Sequence, residues 1–341
     1  MAEIISIDKF VELIDNLPVI DVRSPSEYDR GHIPGAINIP LFSDEERAAV
    51  GTKYKKVGRK DAIKLGLELV GPKLKGFIDI LEHSVNQKNI LVYCWRGGMR
   101  SASMSWLFGL AGYKPKTLEG GYKAFRRFAL ETFSKPYRLL ILGGMTGSGK
   151  TDILNKLKQN GEQVIDLEGL ANHKGSAFGW INQGNQPKTE HFENLLFNQL
   201  RKLDASKHIW VEDESMGIGR VFIPKEFYSQ MKNSQPVILN VDIDTRINRL
   251  IKDYTACDKN DLIESVKKIQ KRLGFDKAQK CIDHIKSNNF AEAIRITLEY
   301  YDKTYSYGLT QKKLPPIFVN TDGNDDNLIS KLIDIRKKLD A

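Results

Sequence analysis

Cysteine is scarce in this chain. Cys94, Cys257 and Cys281 are the three among 341 residues, odd in number and far apart. That spacing excludes a disulfide framework and a clustered zinc site, and it predicts a reducing compartment. Long apolar runs are missing as well. No stretch approaches the ~20 residues of a membrane span, so no membrane partner is expected. The opening MAEIISIDKFVELID lacks the basic-then-apolar order of a signal peptide, and a cytoplasmic location is expected. Internal repeats, low-complexity tracts and long flexible linkers are absent too. Neither sign of charge is lacking: 52 basic against 43 acidic residues leave a net +9, a modest excess that favours polyanionic partners. The 41% of hydrophobic residues suffices for a soluble globular protein, long enough for two domains with a core each.

What is present is concentrated in a few stretches. The first is NILVYCWRGGMRS, residues 89–101. Asn89 to Tyr93 has the short apolar run of a buried strand, and Ala102 to Leu110 has helical spacing. Between them lie Cys94, Trp95, Arg96, Gly97, Gly98, Met99, Arg100 and Ser101. A strand, a glycine-bearing loop opened by cysteine, and a helix start make an anion cradle of inward N–H groups. Gly97 and Gly98 are expected to supply positive φ. Arg96 and Arg100 add full charges, and a setting of that kind favours the thiolate, the reactive form. A buried structural cysteine is the commoner fate of a lone thiol, but two arginines and a Gly-Gly pair argue against it here. Two chemistries use such a loop: sulfur or selenium transfer, and phosphate-ester hydrolysis. The Cys-x5-Arg spacing serves both, although Tyr93 stands where a phosphatase loop would favour histidine.

Upstream, Val19 to Val22 reads as a short buried strand closed by Asp21 and Arg23, which are expected to pair structurally. Ser24-Pro25-Ser26-Glu27 is a helix start, and Gly31 to Pro40 a turn into another strand. His32 is expected to be a hydrogen-bonded loop residue. Strands and helices alternate as in an α/β domain with a parallel sheet, where ligands sit at the carboxyl ends of strands. DVRSPSEYDRGHIPGAINIP, YCWRGGMRS and LEGGYKAF together resemble a rhodanese (sulfurtransferase) domain, assigned to residues 8–133. That resemblance implies Cys94 as the chalcogen-carrying residue. Residues 43–74 go beyond a plain rhodanese and crowd Lys53, Lys55, Lys56, Arg59, Lys60 and Lys64 together. A charge run is usually a solvated face; the alternative is a contact surface for RNA phosphates.

A second domain is assigned to residues 137–341. Tyr137 to Leu142 is an apolar strand. Gly144-Met145-Thr146-Gly147-Ser148-Gly149-Lys150-Thr151 fits the P-loop pattern G-x4-G-K-S/T, and Asp152 to Gln159 continues with helical spacing. The glycines wrap a phosphate pair, Lys150 neutralises it, and Thr151 can hold magnesium. This establishes phosphate or diphosphate binding but not hydrolysis. Further strands are expected at Gln163 to Leu167, His208 to Val211, Pro236 to Val241 and Pro316 to Asn320, giving a P-loop kinase-like α/β domain. Glu212, Asp213 and Glu214 follow a strand, where acids serve metal or water coordination or simply close the strand with ion pairs. A helical insert is expected over about Thr245 to Gly308. Lys267, Lys268, Lys271 and Arg272 give it a basic face for RNA, and Tyr300, Tyr301, Tyr305 and Tyr307 are expected mainly as core. Cys257 and Cys281 read as ordinary helix residues.

LFSDEERAAVGTKYKK, CWRGGMRS, EGGYKAF, GGMTGSGKT, DLEGLANHKGSAFG and VEDES together resemble the tRNA 2-selenouridine synthase family along nearly the whole chain. The resemblance implies a tRNA bearing wobble 2-thiouridine as substrate and selenophosphate as selenium donor. It implies geranyl diphosphate as a second co-substrate that makes an S-geranyl intermediate. A selenophosphate synthase is then a candidate partner, and no tightly bound cofactor is expected. The alternative is a rhodanese-type sulfurtransferase acting on a small thiol or another thio-modified RNA. A small-molecule kinase would require ATP turnover, and an RNA-binding scaffold would leave Cys94 unreactive.

Overall fold

In the computed structural model, residues 3–321 and 325–340 are described. Ala341, the end of the second assigned domain, lies outside them. The chain forms two compact units, Met1–Thr132 with Glu193–Phe197, and Phe133–Phe192 with Asn198–Ala341. Each carries its own parallel sheet.

The first unit has strands β1 (Glu3–Ile5), β2 (Val19–Asp21), β3 (Ile37–Asn38), β4 (Asn89–Tyr93) and β5 (Lys114–Leu118). Their order is β1-β5-β4-β2-β3, every pair parallel. The apolar run Ile90 to Tyr93 is wholly buried, which suits the central strand of a sheet covered on both faces. Core residues Ile20, Ile90, Val92, Leu81, Met104 and Phe108 come from sheet and helices alike. The helix Pro25–Arg30 begins where the sequence indicates: the Ser24 N–H donates to the Glu27 carboxylate at 3.2 Å. The segment 43–74 folds as the helices Asp44–Lys56 and Arg59–Val70, of which the first buries no residue. β1 has no counterpart among the expected strands. It is a three-residue edge strand with one buried side chain, too short for a periodic signature.

The second unit contains β6 (Arg138–Gly144), β7 (Gln163–Ile165), β8 (His208–Glu212), β9 (Gly217–Ile218), β10 (Val221–Phe222), β11 (Gln235–Asn240) and β12 (Ile317–Asn320). The parallel sheet runs β12-β11-β6-β8-β7, the five strands the apolar runs predict. β9 and β10 form a small antiparallel ribbon. Between β11 and β12 come the helices Ile243–Thr255, Lys259–Leu273, Phe275–Lys286 and Phe290–Thr310. These four helices build a separate core around Leu262, Val266, Ile285, Ile294 and Leu298. Cys281 is a buried residue of that core, and burial pushes its thiol up to about 12. Cys257 departs from expectation: it sits in the turn after Thr255, because the helix ends there and the next is capped by Asp258.

Candidate functional site

Chemistry-bearing residues gather at the carboxyl end of the central strand in each sheet. In the first unit β4 delivers Cys94, and the helix Met99–Leu110 begins five residues later, earlier than its spacing suggests. A second turn, Glu119-Gly120-Gly121 after β5, nests against this loop. The Tyr122 N–H donates to the Cys94 carbonyl at 2.8 Å and the Lys123 N–H to the Trp95 carbonyl at 3.0 Å. The fit depends on two glycines. Gly97 has φ +65°, and a Cβ on it would lie 2.6 Å from the Leu118 carbonyl. Gly121 has φ +58°, and a Cβ there would overlap the Cys94 carbonyl. Gly98 corrects the expectation of two positive-φ residues: its φ is −100°, an ordinary value for the residue that starts a helix.

Cys94 is 3% exposed, and its Sγ lies 3.3 Å from the Ser101 hydroxyl. Ser101, within the motif but not singled out for a role, also donates to the Gly98 carbonyl at 3.0 Å. It links sulfur to loop backbone. The two arginines differ. Arg100 is held by Glu27, with Nη1 2.6 Å from Oε2 and Nη2 3.3 Å from Oε1. Burial would raise the Glu27 carboxyl, but the hydrogen bonds and charge of Arg100 outweigh that and hold it below its ordinary value. Arg96 is exposed. Asp21 and Arg23 pair as expected, at 2.6 Å and fully buried. The Tyr93 hydroxyl donates to Asp21 at 2.6 Å, and Arg23 lies over the Tyr122 ring at 3.8 Å. His32 stacks on Tyr28 with its Nδ1 3.0 Å from the Tyr28 carbonyl, a loop residue as read.

Lys53, Lys55, Lys56, Arg59 and Lys60 are all exposed on the two-helix segment. Arg59 Nη2 comes to 4.0 Å from the sulfur of Met99, the first residue of the helix that follows the Cys94 loop. The basic segment therefore ends beside the loop.

In the second unit β6 leads into the P-loop. Gly147 and Gly149 both have φ +82°, and the helix Lys150–Gln159 follows directly. Lys150 Nζ donates to the Gly144 carbonyl at 3.1 Å. The Thr151 hydroxyl lies 3.3 Å from Glu168 Oε2 and 3.5 Å from Glu212 Oε1. The three acids at the end of β8, Glu212 within it and Asp213 and Glu214 beyond, separate in space. Glu212 is buried beside Thr151 and accepts the Glu168 N–H at 2.9 Å. Asp213 pairs with Lys312 and accepts from the Tyr305 hydroxyl at 3.3 Å. Glu214 faces Glu168 across Gly175. Burial pushes the Glu212 carboxyl up to about 8, with Glu168 and Asp166 adding to it. Burial also raises Glu168, against the pull of Lys150, and raises Glu214 with Glu168 adding to it. Three raised carboxyls thus gather next to the P-loop lysine.

The helical insert braces the P-loop through residues that no motif marks. Arg246, 3% exposed, donates to the Thr146 carbonyl at 3.1 Å and clasps Asp302 at 2.8 and 2.6 Å. Arg249 donates to the Ser148 carbonyl at 2.7 Å. The Tyr305 hydroxyl accepts the Gly144 N–H at 2.7 Å. Of the other tyrosines, Tyr300 and Tyr301 pack on the insert core and Tyr307 is exposed. Lys267, Lys268, Lys271 and Arg272 are exposed; Lys268 pairs with Glu264 and lies over the Trp180 ring at 4.3 Å.

A cavity of about 800 Å³ opens on the P-loop, and beside charged and polar residues such as Lys174, Asn182, Glu214, Lys252 and Asp253 its lining carries two further groups. One part is the phosphate cradle with Lys150, Thr151 and Arg249. The other is apolar: Phe178, Ile181, Leu250, Tyr254, Leu262 and Leu298, all joined to the insert core. Phe178 and Tyr254 stack at 5.3 Å. Cys257 is also on the wall. Among the described residues no helix is long and apolar enough to cross a membrane.

Residues 137–334 match the family profile described as the tRNA 2-selenouridine synthase AAA domain, and residues 6–128 match the rhodanese-like domain. The tRNA 2-selenouridine synthase of Shewanella frigidimarina is 37% identical over 93% of this chain and 96% of its own length. That of Shewanella pealeana is 37% identical over 88% of this chain and 91% of its own. That of Sulfurovum sp. is 35% identical over 86% and 89%. Likeness at that level across both sheets, the Cys94 loop and the P-loop places the chain in the tRNA 2-selenouridine synthase family.

Proposed function

We propose that this protein replaces the C2 sulfur of wobble 2-thiouridine in tRNA with selenium from selenophosphate, by way of an S-geranyl intermediate made from geranyl diphosphate. The observation that carries the reading is the P-loop cavity. A nucleotide site needs surfaces for a base and ribose beside the phosphates. Here the P-loop borders an apolar wall of Phe178, Ile181, Leu250, Tyr254, Leu262 and Leu298, which suits a hydrocarbon chain ending in a diphosphate.

In the first step the thiocarbonyl sulfur attacks C1 of the geranyl donor. The C1–O bond breaks with its electron pair on the departing diphosphate, and the nucleobase gives up its N3 proton. Lys150 and the P-loop N–H groups stabilise the charge that develops on the leaving oxygens. With the sulfur alkylated, geranylthiol leaves C2 more readily than sulfide would leave the unalkylated base. In the second step the selenide-level selenium of selenophosphate, received at the Cys94 loop, adds to C2; geranylthiol leaves with the C2–S electron pair and a proton, and water cleaves the P–Se bond, releasing phosphate and returning the N3 proton. A magnesium ion, where the reaction uses one, would be held by the Thr151 hydroxyl and the Glu212 carboxylate, hard oxygen donors 3.5 Å apart. The exposed Lys53, Lys55, Lys56, Arg59 and Lys60 serve tRNA phosphates near the Cys94 loop. A selenophosphate synthase supplies the donor.

The test is Lys150→Ala. Geranylation should collapse with weakened donor binding, while selenation of pre-geranylated RNA persists. A normal geranylation rate with unchanged donor affinity would end this assignment of the P-loop.

A further inference from the structure

Two arginines on the helix Ile243–Thr255 reach the P-loop, and their situations are opposite. Arg246 is charge-paired: Asp302 neutralises it through two hydrogen bonds and Nη1 also donates to the Thr146 carbonyl, while its buried Nε has no partner. Arg249, one turn on, is half-buried and lines the cavity. One of its five N–H donors goes to the Ser148 carbonyl at 2.7 Å. Among the described residues no carboxylate lies within ion-pair distance of it. Its place is fixed by packing. A Cβ on Gly147 would sit 3.0 Å from the Arg246 carbonyl and 3.0 Å from Leu250, so the helix lies directly against the loop. A Cβ on Gly149 would meet the Arg249 guanidinium at 2.8 Å from Nη1 and 3.2 Å from Cζ. The guanidinium therefore covers the residue at which the helix Lys150–Gln159 begins.

A guanidinium without a counter-charge, set beside a helix N-terminus and next to the P-loop lysine, concentrates positive charge of three origins. That arrangement offers an anion donors from all three.

We propose that Arg249 is a catalytic residue of the P-loop site, one that donates to the departing diphosphate of an allylic prenyl donor. The proposal rests on the P-loop being the site of prenyl transfer. As the C1–O bond breaks, its electron pair remains on the diphosphate, and the free N–H groups of Arg249 meet that charge opposite Lys150. The thiouridine sulfur forms the new bond to C1, and the N3 proton passes to water. Because Arg249 and the apolar residue Leu250 share one helix, the insert supplies both the chain-binding wall and a leaving-group cation.

The test uses the full-length protein with Arg249→Gln and Arg249→Ala, each checked by thermal melting. With saturating geranyl diphosphate, the geranyl transfer rate of Arg249→Ala should fall by about 10²-fold or more, with a smaller change in KM. Added guanidinium ion at sub-denaturing concentration should restore part of that loss. Binding of inorganic diphosphate, measured by calorimetry, should weaken about tenfold in Arg249→Gln. A transfer rate within about threefold of the parent protein overturns the proposal. So does a loss that guanidinium does not rescue, accompanied by unchanged diphosphate affinity, which would make Arg249 a brace for the Ser148 carbonyl. If the parent protein transfers no geranyl group at all, the site reading fails, and the diphosphate titration still decides whether Arg249 holds the anion.

Discussion

The Tyr305 hydroxyl accepts the Gly144 N–H at 2.7 Å where the P-loop leaves β6, and it donates to Asp213 at 3.3 Å. A tyrosine late in the helical insert thus joins the two strand ends that flank the phosphate cradle. Its close approach depends on Gly143, where a Cβ would overlap that hydroxyl and lie 2.5 Å from Ile238 Cδ1.

Gly143→Ala should therefore push Tyr305 off the P-loop. We expect a loss of about 1–3 kcal/mol, the usual cost of overpacking, and weaker binding of geranyl diphosphate. Tyr305→Phe should cost less, about 1 kcal/mol, because it removes hydrogen bonds without forcing atoms apart. Urea unfolding of the two variants measures the difference. An alanine variant as stable as the parent would show that the close approach carries no strain.

Glu212 makes stability depend on pH. Its carboxyl has an ordinary value of 4.5 and is pushed up to about 8 in the folded protein, first by burial. The folded state therefore holds a proton that the unfolded state has released between those values. Stability should fall as pH rises through that window, and Glu168 and Glu214, raised in the same direction, add to the fall. Glu212→Gln keeps the neutral form at every pH. It should flatten the slope and be more stable than the parent above about pH 8. Denaturant midpoints at a series of pH values test this; a parent protein that gains stability from pH 6 to 8 while the variant does not would contradict it.

The fully buried Asp21–Arg23 pair should be costly to break from one side. Arg23→Ala strands a buried carboxylate and removes the cation over Tyr122, and we expect a loss of about 3–5 kcal/mol. Since Tyr93 and β4 lean on Asp21, the melting transition should drop before any effect specific to Cys94 appears. A melting temperature within about 2 °C of the parent would refute this role.

Exposed basic residues differ in what they should do. Replacing Lys53, Lys56 and Arg59 with glutamate should weaken tRNA binding and reduce its salt dependence, by roughly 0.9 in the log–log slope for each phosphate that is no longer neutralised. The corresponding changes at Lys267, Lys271 and Arg272 test the insert face. An unchanged slope in the first set would remove that surface from the tRNA footprint.

Both loops were legible because each is a contiguous segment with its own local chemistry. Cys94 to Ser101 and Gly144 to Thr151 carry strand, turn and helix signals within a dozen residues, and the strand runs around them are apolar enough to place both sheets. Short elements were not: β1, β9 and β10 span two or three residues and bury too little to show a period. Residues that act across the fold were also hidden. Arg246, Arg249 and Tyr305 lie on insert helices whose sequence shows only amphipathic spacing, and the register of those helices against the P-loop decides which side chain arrives. Glu168 lies just beyond β7 and Glu212 closes β8, but only the pairing of β7 with β8 brings the two together at Thr151. Among the loop glycines, sequence shows where freedom is available; packing against the Glu119-Gly120-Gly121 turn shows that Gly97 uses it and Gly98 does not.

The most direct measurement is mass spectrometry of an anticodon stem-loop bearing 2-thiouridine, incubated first with geranyl diphosphate and then with selenophosphate. The expected result is a geranyl adduct that converts to the selenium product, with Cys94→Ala protein stopping at the adduct. Unchanged RNA, together with sulfur transfer from a small donor to a small thiol, would contradict the proposed function and leave the protein a simple sulfurtransferase.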